Sequence, residues 1–310
     1  LPRIAVLYSG TAEGKLQYAF ILQPGANPNQ IHIAFNEPVH TTSEGDLLIA
    51  GVRQHRPKVY QAGHNIDCSY VVRRGRQIEL ALSHYDRAAP LTIDPVIEYA
   101  TYLGGNAYDV ATAVTVDGTG AAYITGYLKS PNYPSLDPFQ QTSGIGQDIF
   151  VAKFTPSGNA LAWYTYIGGS ALDSDQAIAL DGAGNVYVTG WTASNDFPVK
   201  GAAQSVFAGG YENAIIVKLS SAGKLVYSTY LGGNNQERAL GLAVDSTGAA
   251  LIACFTWSAD FPLKNALQPT MTGRPDAFVA KLSPAGDRFL FATYLGGSGI
   301  DYGEALTLDP

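Results

Sequence analysis

The sequence contains few of the residues on which common catalytic and metal sites depend. Its 310 residues include two cysteines, Cys68 and Cys254, one methionine and five histidines, and every histidine lies before residue 95. Residues 95–310 therefore offer no Ser-His-Asp or Cys-His arrangement and no histidine-ligated metal. Two cysteines also give no indication of the redox compartment. We expect Cys254 to be a buried free thiol, which behaves as a small hydrophobic residue.

Charged residues are sparse as well, at 15%, whereas 46% of the residues are apolar, which is typical of a folded globular protein. No apolar run approaches the roughly 18 residues that a membrane-spanning helix requires. No signal peptide is visible at Leu1. Residues 1–94 carry 9 Lys and Arg against 8 Asp and Glu, and residues 95–310 carry 10 against 18. This acidic balance argues against nucleic acid as a partner.

A seven-residue motif ending in Gly-Gly recurs every 64 residues. Its copies begin at Tyr99, Trp163, Tyr227 and Phe291. The units that it defines lie at about 99–162, 163–226, 227–290 and 291–310, the last incomplete. A fixed period of this size indicates a repeat architecture, in which each unit buries its apolar faces against its neighbours.

Each complete unit contains four apolar segments separated by turns and by one loop of about 20 residues. The third segments, for example, are Asp148–Phe154, Asn213–Leu219 and Asp276–Leu282. Four antiparallel strands repeated at a fixed spacing are typical of β-propeller blades. The sequence therefore predicts an all-β fold, a β-propeller with three complete blades and part of a fourth in residues 95–310. A solenoid of stacked sheets is the alternative.

Residues 1–94 form a separate region with short apolar segments bounded by Gly, Pro and Asn, such as Leu16–Leu22 and Gln77–Leu82. Such segments predict a small β-rich domain that precedes the repeats. The five histidines of this region show no spacing typical of metal ligands. The sequence therefore predicts neither a metal site nor a cofactor.

Several blocks of the repeats resemble those of a known family. The blocks are Tyr227–Gly233, Asp181–Gly190, Asp260–Pro262 and Asp276–Leu282. They are similar to the bacterial SBBP repeats, which form seven-bladed β-propellers, and residues 8–98 resemble the domain that commonly precedes those repeats. The resemblance implies a secreted or cell-surface protein, and it implies that both ends of this chain are truncated.

Repetition separates structural from functional candidates. The acids at Asp109, Asp173, Glu237 and Asp301 recur at the repeat spacing, and we expect them to accept hydrogen bonds from backbone amides after the Gly-Gly pair. Bound Ca²⁺ at these acids is the alternative, although each loop offers only one carboxylate and Ca²⁺ requires six to eight oxygens. The acids that precede the tight turns, Asp117, Asp181 and Asp245, are expected to cap those turns.

Functional residues are expected instead at unrepeated positions on the face where the long loops emerge. The candidates for binding are Trp257, Arg274, Tyr211, Arg238 and Lys264, and further unrepeated residues on that face are Lys129, Lys200, Glu212 and Met271. Trp257 is the first choice, because exposed aromatic and Arg side chains contribute most to many binding surfaces.

The sequence thus predicts a non-catalytic, secreted or cell-surface scaffold that binds a protein or polysaccharide partner; a subunit of a larger envelope or extracellular assembly is one version of this prediction. A carbohydrate-active hydrolase or lyase that uses two carboxylates is one alternative. A structural protein that shares strands between chains, through the edge of its incomplete blade, is the other.

Overall fold

The computed structural model describes residues 3–10, 16–34, 38–43, 45–49, 52–73, 76–94, 103–130, 136, 138–144, 146–156 and 158–309. The chain divides into two compact units. The first comprises Leu1–Leu103 with the short segments Val116–Ala121 and Thr155–Ala160, and the second comprises Gly104–Thr115, Ala122–Phe154 and Leu161–Pro310.

Residues 1–94 form eleven strands among the described residues, with one 3₁₀ turn at Pro28–Gln30. The strands are β1 (Ile4–Gly10), β2 (Leu16–Leu22), β3 (Ile33–Ala34), β4 (Val39–Thr41), β5 (Leu47–Ile49), β6 (Val52–Gln54), β7 (Lys58–Gln61), β8 (His64–Ile66), β9 (Cys68–Arg73), β10 (Gln77–Leu82) and β11 (Leu91–Asp94). They form a five-stranded sheet in the order β1-β2-β11-β7-β8 and two three-stranded sheets, β3-β10-β9 and β4-β5-β6. Leu22, Leu47 and Ile93 belong to their shared core.

The repeats form three four-stranded antiparallel sheets in simple sequential order. The first contains β12 (Asp109–Val116), β13 (Ala122–Leu128), β14 (Asp148–Phe154) and β15 (Leu161–Ile167). The second contains β16 (Asp173–Leu180), β17 (Val186–Thr192), β18 (Asn213–Leu219) and β19 (Leu225–Leu231). The third contains β20 (Glu237–Val244), β21 (Ala250–Thr256), β22 (Asp276–Leu282) and β23 (Phe289–Leu295).

Successive sheets pack face to face. Strand β16 packs against β13 and β14 of the first sheet, and β20 packs against β16, β17 and β18 of the second. Every residue of β17 and β18 is buried, because this middle sheet is covered on both faces. After β23 the chain continues along the third sheet, where Gly303 approaches the backbone of Cys254. In a β-propeller, the first strand of each blade packs against the preceding blade, as β16 and β20 do here.

The predicted fold class is confirmed: the described chain is all-β, with propeller-like four-stranded repeats after a small β domain. The three predicted third strands have the observed bounds. The copy of the motif that begins at Tyr99 lies largely outside the described residues. Cys254 is fully buried with a free thiol, as expected, and burial raises its pKa well above the usual range.

Candidate binding site

The repeated polar residues build one end of each sheet, which we call the loop end: the end at which the first and third strands begin. Asp173 Oδ2 accepts a hydrogen bond from the Gly169 amide (2.8 Å), and Glu237 Oε2 accepts one from Gly233 (3.1 Å). The equivalent bonds at Asp109 and Asp301 are both formed. The prediction for these four acids is confirmed, and it explains why they recur.

A repeated glutamine completes each loop end. The side-chain oxygen of Gln204 accepts the Gly232 amide at 3.1 Å, while its nitrogen donates to the Gly232 carbonyl at 3.2 Å. Gln140 and Gln268 accept the corresponding glycine amides. Each glutamine therefore joins the long loop of its sheet to the Gly-Gly pair.

The opposite end of each sheet carries the tight turns. Asp245 Oδ1 accepts the amides of Thr247 and Ala249, and its other oxygen lies 2.7 Å from Lys281 Nζ. Asp181 has the same turn contacts, and Asp117 Oδ1 accepts two amides of its own turn. These aspartates cap their turns as predicted, so they are structural residues.

The long loops do not stay at the loop ends. Their middle parts pair with the outer strand of their own sheet, through bridges that join Leu136 to Tyr164, Lys200 to Ser228 and Lys264 to Ala292. Lys264 therefore lies at the outer edge of the third sheet, whereas the sequence analysis placed it on the loop face.

Arg238 lies between the second and third sheets, at a contact that we call the second junction. Its Nε and Nη2 donate to the two carboxylate oxygens of Glu212 at 2.5 and 2.8 Å. Its guanidinium carbon lies 4.6 Å from the centre of the Trp191 ring. A paired, stacked guanidinium is held in one orientation. Arg238 is thus a fixed planar group at the loop end of this junction.

Other unrepeated residues join Arg238 there. Gln236 donates from its side chain to Glu212 at 2.9 Å, and its carbonyl accepts the backbone amide of Trp257, also at 2.9 Å. Tyr211 immediately precedes Glu212, and its side chain is 79% exposed. We call Trp191, Tyr211, Glu212, Gln236, Arg238 and Trp257 the second-junction cluster. Three sequence candidates, Tyr211, Arg238 and Trp257, therefore come together.

The remaining binding candidate, Arg274, lies outside this cluster. It is exposed and follows the long loop of the third sheet, directly before Pro275. The Pro275 carbonyl accepts the Asp301 amide, as the Glu212 carbonyl accepts the Glu237 amide. Arg274 thus holds, one sheet further along, the position that Tyr211 holds at the second junction.

Sequence reasoning missed a row of exposed apolar residues at the same end. Tyr108, Leu172 and Ile300 directly precede the repeated acids and are 62%, 48% and 65% exposed. Gln236 holds the fourth such position, and there Trp257 lies alongside. The signal was present in the sequence, since these apolar residues directly precede the repeated acids at the 64-residue spacing. The loop ends therefore present apolar groups next to the polar second-junction cluster.

The first junction, between the first and second sheets, contains an unrepeated buried acid. Asp175 is fully buried and accepts a hydrogen bond from Thr112, while its Oδ1 has no partner. Burial raises its pKa to about 6. The equivalent residues of the other sheets are Ala111 and Ala239. Because Asp175 is enclosed, it cannot meet a large substrate.

The residues that the structure describes show neither a metal-ligand cluster nor a membrane-spanning helix. No three His, Cys, Asp or Glu side chains converge there as a metal site requires. His55 Nδ1 lies 3.0 Å from buried Asp46 Oδ2, a contact that joins β5 to the chain after β6. In the same part of the chain, no helix has the length and apolarity needed to span a membrane.

Comparisons with known proteins agree with this architecture. Residues 1–96 match a family model described as "Domain of unknown function (DUF7948)", and residues 162–198 match the "Beta-propeller repeat" model, SBBP. The resemblance found in the sequence is thus confirmed for the leading domain and for one repeat. No curated protein matches the chain.

Among solved structures, a mutant of the NanB sialidase from Streptococcus pneumoniae is similar to the chain at 12% sequence identity and a TM-score of 0.30. The match covers 95% of this chain and 39% of that one. Likeness at this level carries no argument about activity.

Proposed function

We propose that this protein is a non-catalytic binding scaffold that captures a protein or polysaccharide partner at the loop ends of its sheets. The observation that supports this most is the second-junction cluster. At its centre, Arg238, Glu212 and Gln236 are unrepeated residues, so the framework does not require them, yet their side chains are joined by hydrogen bonds and Arg238 stacks on Trp191. Aromatic and Arg side chains that are pre-ordered in this way bind with little loss of conformational entropy.

The apolar row extends this surface. The large apolar residues Tyr108, Leu172 and Ile300 are exposed to solvent. Exposure of such side chains is unfavourable unless a partner covers them. The opposite charges of Arg238 and Glu212 neutralise each other, so a partner that binds here need not carry a strong charge. These features favour a ligand with both apolar surface and hydrogen-bonding groups.

The two alternatives receive less support. A carboxylate-dependent hydrolase needs two acids that face a cleft, whereas the facing acids Asp148 and Asp173 are both fully buried. Sharing of strands between chains through the incomplete blade needs a free strand edge there, and the described residues 296–309 that follow β23 form no strand. As part of the same proposal, the chain belongs to a secreted or cell-surface protein whose blades complete a seven-bladed ring.

The proposal is tested by retardation of the chain in native gels that contain soluble polysaccharides, and by crosslinking to proteins of bacterial envelopes. The double variant Tyr211→Ala/Trp257→Ala should weaken capture by about tenfold or more. The matched control is Lys264→Ala/Leu267→Ala, which removes two exposed residues at the outer edge. Loss of capture in the control with retention in the double variant would contradict the proposal.

A further inference from the structure

Two buried carboxylates face each other at the first junction. Asp148 begins β14 of the first sheet, Asp173 begins β16 of the second, and both are fully buried. A Cβ built on Gly168 would overlap Asp148 Oδ1 and lie 2.9 Å from Asp173 Oδ2. The two oxygens therefore share the space above one glycine.

Their hydrogen bonds leave this space without a positive group. Asp148 Oδ2 accepts the Gly144 amide at 2.5 Å, but Asp148 Oδ1 has no partner. Asp173 accepts hydrogen bonds from Thr192, from Ser194 at 3.1 Å and from Gly169. Within the part of the chain that the structure describes, neither acid is paired with Lys or Arg. Buried carboxylates without a compensating charge are costly.

The second junction fills the equivalent space with a hydrogen-bond donor. There Asn213 replaces Asp148, and its Nδ2 donates to Glu237 Oε2 (3.2 Å), to the Gly233 carbonyl (3.2 Å) and to the Gly209 carbonyl (3.3 Å). The Nδ2 group of Asn213 is thus surrounded by three oxygens that accept its hydrogen bonds. At the first junction Asp148 Oδ1 takes the place of this amide nitrogen, so a carboxylate oxygen lies opposite Asp173 Oδ2 and the Gly169 carbonyl.

The next acid of the series also lies opposite a carboxylate, but its own oxygens both have donors. Asp276, at the start of β22, lies against Gly296 and near Asp301. Its two oxygens accept the amides of Thr272 (2.8 Å) and Gly273 (2.7 Å). Neither oxygen is left without a donor. The unpartnered oxygen of Asp148 therefore distinguishes this acid from the equivalent residues Asn213 and Asp276.

A third oxygen adjoins the two carboxylates. A Cβ on Gly144 would overlap the Gly169 carbonyl oxygen and lie 3.7 Å from Asp148 Oδ1. Gly169 is equivalent to Gly233, whose carbonyl belongs to the oxygen set around Asn213. Gly144 is exposed and Gly169 half-buried, whereas both carboxylates are fully buried. Burial raises the pKa of both carboxyls to about 6.

We propose that the first junction binds a hard divalent cation, Ca²⁺, through Asp148 Oδ1, Asp173 Oδ2 and the Gly169 carbonyl. Ca²⁺ accepts carboxylate, carbonyl and water oxygens in irregular geometry, whereas Mg²⁺ demands a near-ideal octahedron. The third ligand is a backbone oxygen, which is why acidic side chains alone do not reveal the site. The cation joins the first and second sheets and is independent of the proposed partner binding.

The test compares the chain with its Asp148→Asn variant, which recreates the Asn213 arrangement. Calcium is titrated by calorimetry into chain freed of metal, and thermal unfolding is followed in Ca²⁺, in Mg²⁺ and in EDTA. The chain should bind Ca²⁺ and melt several degrees higher with it, since a ligand that binds only the folded state stabilises that state. Asp148→Asn should lose one equivalent of Ca²⁺ and should melt in EDTA no lower than the unaltered chain.

Several results would overturn the proposal. One is a calorimetric titration in which the unaltered chain binds no Ca²⁺. This result does not depend on whether any variant folds. Another is an equal calcium response in Asp148→Asn. A third is a melting temperature that depends on pH between 5 and 8 but not on Ca²⁺, because a shared proton would then fill the space.

Discussion

The first and second junctions have the same backbone arrangement and different contents. In both, the acid that begins the first strand accepts the second glycine amide, from Gly169 or Gly233. The second junction is filled by groups that satisfy one another, the Asn213 amide facing Glu237. At the first junction two carboxylates face each other instead. The comparison teaches that the repeat fixes where strands and turns lie, while single unrepeated residues decide what each junction can bind.

The largest effect is expected from filling the space above Gly168 at the first junction and the space above Gly232 at the second. Gly168→Ala places a methyl group against Asp148 and Asp173, and Gly232→Ala places one 2.7 Å from Asn213 Nδ2. Because overpacking at a buried site forces neighbours apart, each variant should lose about 3 kcal/mol of unfolding free energy. Urea unfolding measures this loss. A loss confined to one of the two variants would show that the junctions are not equivalent in backbone.

The second test makes the second junction resemble the first. Asn213→Asp removes the donor to Glu237 and places a carboxylate beside it. In EDTA we expect a loss of about 2 kcal/mol, since a buried partner is left unsatisfied. Calcium should restore part of that loss. The control is Asn159→Asp, an exposed asparagine in a turn of the first sheet, which should show no calcium effect. An Asn213→Asp variant as stable as the unaltered chain would contradict the role given to the amide.

The third test concerns the contacts of Arg238. Arg238→Ala removes a bidentate ion pair and a stacked ring contact at a position that remains partly exposed. Solvent screening keeps the expected loss to about 1 kcal/mol. Arg238→Lys should recover little of it, because lysine lacks the planar fork. Full recovery by lysine, measured by thermal unfolding, would show that only the charge matters.

The smallest effect is expected from pH at Glu237. Burial raises its pKa above the ordinary value of 4.5. The folded state therefore holds the proton more tightly than the unfolded state, so this contribution to stability is complete below pH 4.5 and is lost as pH rises through the raised pKa. Glu237→Gln should flatten the stability profile above pH 4.5, whereas Glu304→Gln, at an exposed position, should not. Identical profiles for both variants would contradict this assignment.

Much of the framework was predictable because its signals are periodic. The 64-residue spacing indicated the sheets, the capped turns and the acids that bind glycine amides. Several short strands of the N-terminal unit, such as β4 and β8 with three residues each, were not found. Strands of that length show no usable alternation of apolar and polar residues.

The candidate site was only partly predictable. Unrepeated residues pointed to Tyr211, Arg238 and Trp257, but Lys264 was misplaced because sequence does not show that a loop turns back along the sheet edge. The contrast between Asp148 and Asn213 was also hidden, since their separation departs from the 64-residue spacing. Which oxygen lacks a donor depends on side-chain placement, and periodicity contains no information about that.

The central claim, that unrepeated loop-end residues carry the function, is tested most directly by one ratio. For the ligand found by retardation or crosslinking, the Kd of Tyr211→Ala/Trp257→Ala is divided by that of the unaltered chain, with the melting temperature measured alongside. The account predicts a ratio of about ten or more at an unchanged melting temperature. A ratio near one, with the double variant folded, would contradict it.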